Sequence, residues 1–328
     1  MLSKRENMWE VIKGGKPDRF VNQYEALGIV GGDPISARNP RATPGGEVVD
    51  FWGVTHRWPE HVPGSFPVHD EEHKLLKDIT KWREVLKAPS LETKPEEWKE
   101  IQEQAAKIDR REQFVTIFGA PGIFEQLHYF MGMDDTLINF YEEPEAMHEL
   151  IEFITDWKLG YAEQLVKYVK PDCLFHHDDW GSQINSFLAP EMFAEFIVPA
   201  YKRLYGFYKE NGVELIIHHN DSFSANLVPY MIEMGIDVWQ GCMTTNNTPE
   251  LVKQYGGQLT FMGDLDNGLL DREDWSEELI AKEVERACRS NGKLYFIPCL
   301  VRGLPGSTYP GVYEAVSKEI NRMSKEMF

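Results

Sequence analysis

Five apolar runs in this chain end in residues that carry chemistry. They are CLFHHDD (His176, His177, Asp178, Asp179), LIIHHND (His218, His219, Asn220, Asp221), VWQGC (Gln240, Cys242), TFMGDLD (Asp264, Asp266) and FIPC (Cys299). Imidazole, thiolate and carboxylate are the ligands zinc takes, and imidazoles and carboxylates also serve as general acids and bases. Each has a plainer use on its own. A His pair can be a hydrogen-bonded structural element, Asp178 or Asp179 a cap for the following turn, and Cys299 a small buried hydrophobe. Their recurrence at the ends of successive apolar runs is what carries the signal.

Those runs must be positioned by the elements around them. FVTIFGA, CLFHHDDW, VELIIHHND, IDVWQG, QLTFMGDLD and KLYFIPC read as strands, and the stretches between them repeat apolar residues every three or four positions, as amphipathic helices do. Strand and helix alternating through short connections predict a parallel sheet. Six such repeats after an initial βα region predict an α/β protein, a closed (β/α)8 TIM barrel with an N-terminal helical and loop extension, forming one domain over residues 1–328. An extended segment is expected over Phe20 to Leu27, after a short helix that Ser3 caps and Gly14-Gly15 stops. Residues 31–70 are dense in Gly, Pro and aromatics, which predicts a binding excursion packed on the barrel. In a parallel barrel the C-terminal strand ends converge on one face, so the five polar ends would share one pocket. No GxGxxG or GxxxxGK[ST] follows a strand, which argues against nucleotide binding.

With 34 Lys+Arg against 53 Asp+Glu, the net charge is −19. A surface so acidic repels phosphate backbones and anionic lipid, so neither nucleic acid nor membrane is an expected partner. The N-terminus lacks the apolar core of a signal peptide, and the four cysteines form no close pairs, so the expected compartment is the cytoplasm.

GVELIIHHND, preceded by the helix PEMFAEFIVPAYKRL, resembles the uroporphyrinogen decarboxylase superfamily. EVVDFWGV, FGAPGIFEQLHYFMGMDDTLINFYEEPEAMHELI and TFMGDLDN are similar to its other signatures, so the resemblance runs over most of the chain. It implies a TIM barrel and one of two activities: metal-free porphyrinogen decarboxylation, or zinc-dependent methyl transfer with a corrinoid protein. The decarboxylases bring an arginine on the first strand and a basic cleft to a polycarboxylated substrate. Here that segment reads FVNQYEALG, with Glu25 and no arginine.

The resemblance to the methyltransferases implies Zn2+, and a corrinoid (cobalamin) carried on a separate partner protein, since the chain has a barrel's length alone. It places His218 on the family histidine and Cys299 near the second cysteine, and puts Asn220 where members carry the first cysteine. Asp179 and Asp264 are then candidates to complete the metal site. Fewer thiolates leave zinc more electrophilic toward an ether oxygen. The expected reaction is therefore O-demethylation of a methoxylated aromatic, with His176, His177 and Asp178 as catalytic groups and Glu25, Trp180, His219, Asn220 and Trp239 contacting substrate. The alternatives are another methyl donor (methylamine, methanol or a halide), the decarboxylase, and a non-catalytic binding barrel.

Overall fold

The computed structural model describes residues 1–62 and 64–328. Seven parallel strands form a curled sheet in the order β1 (Leu27–Val30), β5 (Phe114–Gly119), β6 (Cys173–His177), β7 (Leu215–His219), β8 (Val238–Cys242), β9 (Thr260–Leu265) and β10 (Phe296–Leu300). Helices connect and cover them, Pro144–Val169 and Val198–Glu210 on one flank, Glu277–Asn291 and Val312–Met327 on another. This is the α/β TIM-barrel-like fold that the alternation of elements predicts. Among the described residues, no helix is long and apolar enough to cross a membrane.

The strands are apolar because both of their faces are buried. Phe114, Cys173, Phe175, Leu215, Ile217, Val238, Met262, Ile297 and Cys299 form the barrel interior. The residues that alternate with them, Val115, Ile117, Leu174, Ile216, Trp239 and Phe261, belong to the layer beneath the helices. This period-2 alternation sets the aim of the strand-end side chains of β6 and β7. In β6 and β7, paired in register with His176 beside His218 and His177 beside His219, the inward series runs Cys173, Phe175, His177 and Leu215, Ile217, His219.

The first strand departs from expectation. The segment from Phe20 to Leu27 is not a strand: it turns, with Leu27 N donating to Tyr24 O at 2.9 Å, and β1 begins only at Leu27. The turn is held by side chains. Gln23 accepts from Leu300 N at 3.4 Å and donates to Ser317 Oγ at 2.8 Å, and Tyr24 Oη donates to Arg302 O. Val21 and Tyr24 join the interior cluster. The place of an eighth strand, between β1 and β10, is thus taken by side chains from this turn, and the expected eight-stranded closure is replaced by seven paired strands among the described residues.

Residues 31–70 do pack on the body. They include a small antiparallel sheet of β2 (Glu47–Val49), β3 (Thr55–Arg57) and β4 (Phe66–Pro67). Trp52 anchors them, buried with its ring 5.1 Å from that of Trp157. The helical stretch expected over residues 122–141 divides into Ile123–Met131 and Met133–Glu142, because Gly132 between them takes a positive φ of 84°.

Candidate metal centre at the barrel mouth

The inward-facing ends of β6 and β7 meet. His177, Asp179 and His219 each bring one ligand atom to within 4.8 Å of the others. His177 Nε2 lies 3.1 Å from Asp179 Oδ2, and the two imidazole rings are 4.5 Å apart. Asp179 is aimed by the next loop: its Oδ1 accepts from Asp221 N at 2.9 Å.

His219 is oriented from behind. Its Nδ1 donates to Gln240 Oε1, an assignment that Gln240 itself settles, since Gln240 Nε2 donates to Leu300 O at 3.1 Å and to Arg302 O at 3.2 Å. Nε2 of His219 therefore carries the lone pair. A ligating histidine whose other nitrogen is bound by a polar side chain is the usual arrangement around a metal.

The charges of the cluster are paired. Burial opposes charge on His177, but the Asp179 hydrogen bond and the charges of Glu125, Asp179 and Asp178 hold its pKa up at about 9. Burial likewise works against Asp179, yet His177 and His219 hold it down at about 2. Burial and His177 lower His219 to about 4, leaving its ring neutral. Burial raises Glu125 to about 8, against the pull of His177 and with the repulsion of Asp178 and Asp179. Burial and Asp179 raise Asp221 to about 7. The cluster is thus an ion pair of the His177 imidazolium with the Asp179 carboxylate beside a neutral His219, and a divalent cation would take the place of the His177 proton. With three protein ligands, a fourth position stays open for water or substrate.

Of the four residues expected to hold the metal, the structure brings only Asp179 to this cluster. His218 points outward from β7. Its Nε2 donates to Asp178 O at 3.1 Å, its Nδ1 accepts from Tyr205 Oη at 2.7 Å, and its ring stacks on Trp180 at 4.0 Å, so neither nitrogen is free. Cys299 faces the barrel interior, where burial pushes its thiol well above the usual range. Asp264 has a φ of 58° and turns outward, meeting Arg286 at 3.1 Å and Asn291 at 2.6 Å.

The expected catalytic and substrate residues divide in the same way. His177 and His219 lie in the cluster. His176 faces the helix layer and bonds Tyr205 at 2.9 Å. Asp178 is buried and accepts from Phe124 N, Glu125 N, Trp180 Nε1 and Tyr201 Oη, at 3.0, 2.8, 2.9 and 2.6 Å. It anchors the start of helix Ile123–Met131 instead of facing substrate. Asn220 is also buried, its carboxamide bonded to Trp180 N, Ser222 Oγ and Ser224 Oγ. It shapes the loop after β7 and does not stand in for a metal-bound cysteine. Trp180 and Trp239 are core residues, 2% and 0% exposed. Glu25 precedes β1 and so sits at the opposite end of the barrel, bonded to Asn22 N at 3.0 Å.

Three residues not assigned a role from the sequence adjoin the cluster. Glu125 Oε1 lies 3.8 Å from His177 Nε2, Gln240 orients His219, and the half-buried ring of Phe118 lies 6.5 Å from that of His177. A lone carboxylate inside the stretch GIFEQLHYF, where the apolar residues predominate, is the signal that could have marked Glu125. Beside the cluster, Asp221 also lines an open cleft of about 680 Å³, with Ser182, Gln183, Met243, Asp266 and Arg302.

Residues 60–323 match the family model for uroporphyrinogen decarboxylase (URO-D), and the chain belongs to that family. Over 126 residues it is 29% identical to a methylated-thiol–coenzyme M methyltransferase of Methanosarcina mazei. That match covers 38% of this chain and 31% of the relative, so the chain spans about a third of that relative's length. A solved structure, described as a methyltransferase from Methanosarcina mazei, superposes with a TM-score of 0.67 at 13% identity, covering 98% of this chain and 99% of that one. At that identity the likeness is one of fold.

Proposed function

We propose that the chain is a methyltransferase that takes a methyl group from the oxygen of a methoxylated aromatic and delivers it to the Co(I) corrinoid of a separate protein, using Zn2+ held by His177, Asp179 and His219. The observation that carries this reading is the His177–Asp179–His219 cluster, free of thiolate, at the mouth of a URO-D family barrel. Methyl transfer is the activity in the names of both the sequence relative and the structural neighbour. When bound by two imidazoles and a carboxylate, zinc supplies Lewis acidity toward an ether oxygen.

The chain's own residues supply the rest. The Phe118 ring beside His177 offers a face for an aryl group. Glu125, buried against His177, is placed to return a proton to the released oxygen. Asp221, Asp266 and Asp271 outnumber Arg302 along the cleft, a lining that repels the polycarboxylated substrate of a decarboxylase. That polar lining also favours a second donor class, small methylated alcohols and amines.

The test mixes zinc-loaded protein with reduced cobalamin and a panel of methoxylated benzenes, methanol and methylamine, following conversion of Co(I) to methylcobalamin by absorbance. Zinc-dependent methylation from the methoxylated aromatics is the expected result. Methylation from methanol or methylamine alone selects the second donor class, and none from any donor overturns the reading.

A further inference from the structure

A second cavity, of about 250 Å³, lies on the other side of the barrel wall. Its floor is the outward face of β5 and β6, at Ile117, Gly119, Leu174 and His176, and its roof is the loop after β1 and helix Pro144–Val169. Phe118, beside His177, lines it as well, so the two spaces share this strand and only the thickness of the sheet separates the cavity from the inward-facing metal cluster. Gly31, Gly32 and Arg41 are exposed and mark its opening.

Of the polar groups that line this space, which include Asp33, Asp50 and Arg41, three have bonding capacity left over. Lys158 Nζ donates to Pro121 O at 2.5 Å and forms no ion pair among the described residues, so two of its three protons lack a protein acceptor. Burial draws its pKa down to about 8. Gln126, 3% exposed, has its Nε2 buried with no hydrogen-bond partner among the described residues. His176 offers a lone pair, by a chain of donors. His218 Nε2 donates to a carbonyl, so its Nδ1 must accept from Tyr205 Oη; that oxygen then accepts from His176 Nδ1, leaving His176 Nε2 unprotonated. The two carboxylates in the cavity are already satisfied, Asp33 by Ile35 N, Ser36 N, Ser36 Oγ and Tyr161 Oη, and Asp50 by Trp52 N, Val54 N and His56 Nε2. The walls are aromatic, with Phe51, Trp52, Trp157 and Tyr161 packed edge to face or tilted on one another.

A half-buried ammonium without an ion-pair partner and a buried, unpartnered amide N–H both call for an oxyanion. An aromatic-lined space of this volume suits one ring. We propose that this cavity is a second ligand site, separate from the barrel mouth, that takes a single-ring aromatic carboxylate with its carboxylate on Lys158 and Gln126.

The probe is benzoate, with binding read by calorimetry and by quenching of tryptophan fluorescence. Wild-type protein is expected to bind benzoate saturably. Lys158→Met should weaken binding at least tenfold and Gln126→Leu severalfold, and Asp179→Asn should change it less than twofold. Benzyl alcohol, the neutral analogue, should bind at least tenfold more weakly than benzoate. That comparison needs no variant, so it holds even if Lys158→Met fails to fold. No saturable binding, equal binding of the alcohol, undiminished binding by a folded Lys158→Met, or loss in Asp179→Asn (which would place benzoate at the barrel mouth) overturns the proposal.

Discussion

Gln240 holds His219 in one tautomer: its amide nitrogen is fixed by two carbonyls, Leu300 O and Arg302 O, so its oxygen can only accept from His219 Nδ1. The metal-facing nitrogen is thereby set from a strand that carries no proposed ligand. Gln240→Leu should keep the fold and lower zinc affinity by about 10- to 100-fold, measured by competition with a chelating dye. An unchanged affinity would mean that Nε2 of His219 does not bind the ion.

The alternation of side chains sets a contrast between neighbouring histidines. Asp179→Asn and His219→Ala should each abolish stoichiometric zinc binding, whereas Cys299→Ser should leave it intact, because Cys299 lies in the barrel interior outside the cluster. His218→Ala should lower thermal stability through its lost bonds to Tyr205 and Asp178 while the folded protein still takes up zinc. Metal content of the four purified variants reads this directly, and zinc lost in Cys299→Ser but kept in Asp179→Asn would reverse the assignment.

The strand and helix order was legible because each strand is a short apolar run closed by turn residues. The side of the sheet that each strand-end residue faces was not. LeuIleIleHisHis is apolar on both faces, so the period-2 pattern has no polar phase to read, and shifting by one residue exchanges His218 for His219. The resemblance to the His-x-Cys methyltransferases pointed to His218, whereas the cluster contains its neighbour His219. Asp264 was misplaced for another reason, since its left-handed backbone conformation turns the side chain to Arg286. Glu25 was misplaced because side-chain bonds from Gln23, which no local propensity reports, delay the first strand to Leu27.

Asp178 supports the site from outside it. With four donors converging on its buried carboxylate at the start of helix Ile123–Met131, Asp178→Ala leaves those groups unpaired. The expected loss is on the order of 4 kcal/mol of unfolding free energy, read from urea titrations. A loss below about 1 kcal/mol, the worth of one ordinary hydrogen bond, would contradict the anchoring role.

Lys158 gives the stability a pH dependence. Its pKa is drawn down to about 8 in the folded protein from 10.5, so between those values the unfolded chain binds the extra proton and stability rises with pH. Below pH 8 both states are protonated and the cost is fully present; above 10.5 it is gone. The full span is at most about 3.5 kcal/mol. Relative to Lys158→Met, wild-type protein should gain stability as the pH rises from 8 to 10.5. A difference that is flat across this window would mean that the ammonium is solvated.

The most direct measurement is zinc K-edge absorption on the stoichiometrically loaded protein. The account predicts a first shell of nitrogen and oxygen alone at roughly 2.0–2.2 Å, lost on Asp179→Asn. A sulfur shell at about 2.3 Å would bring Cys299 into the site and contradict it.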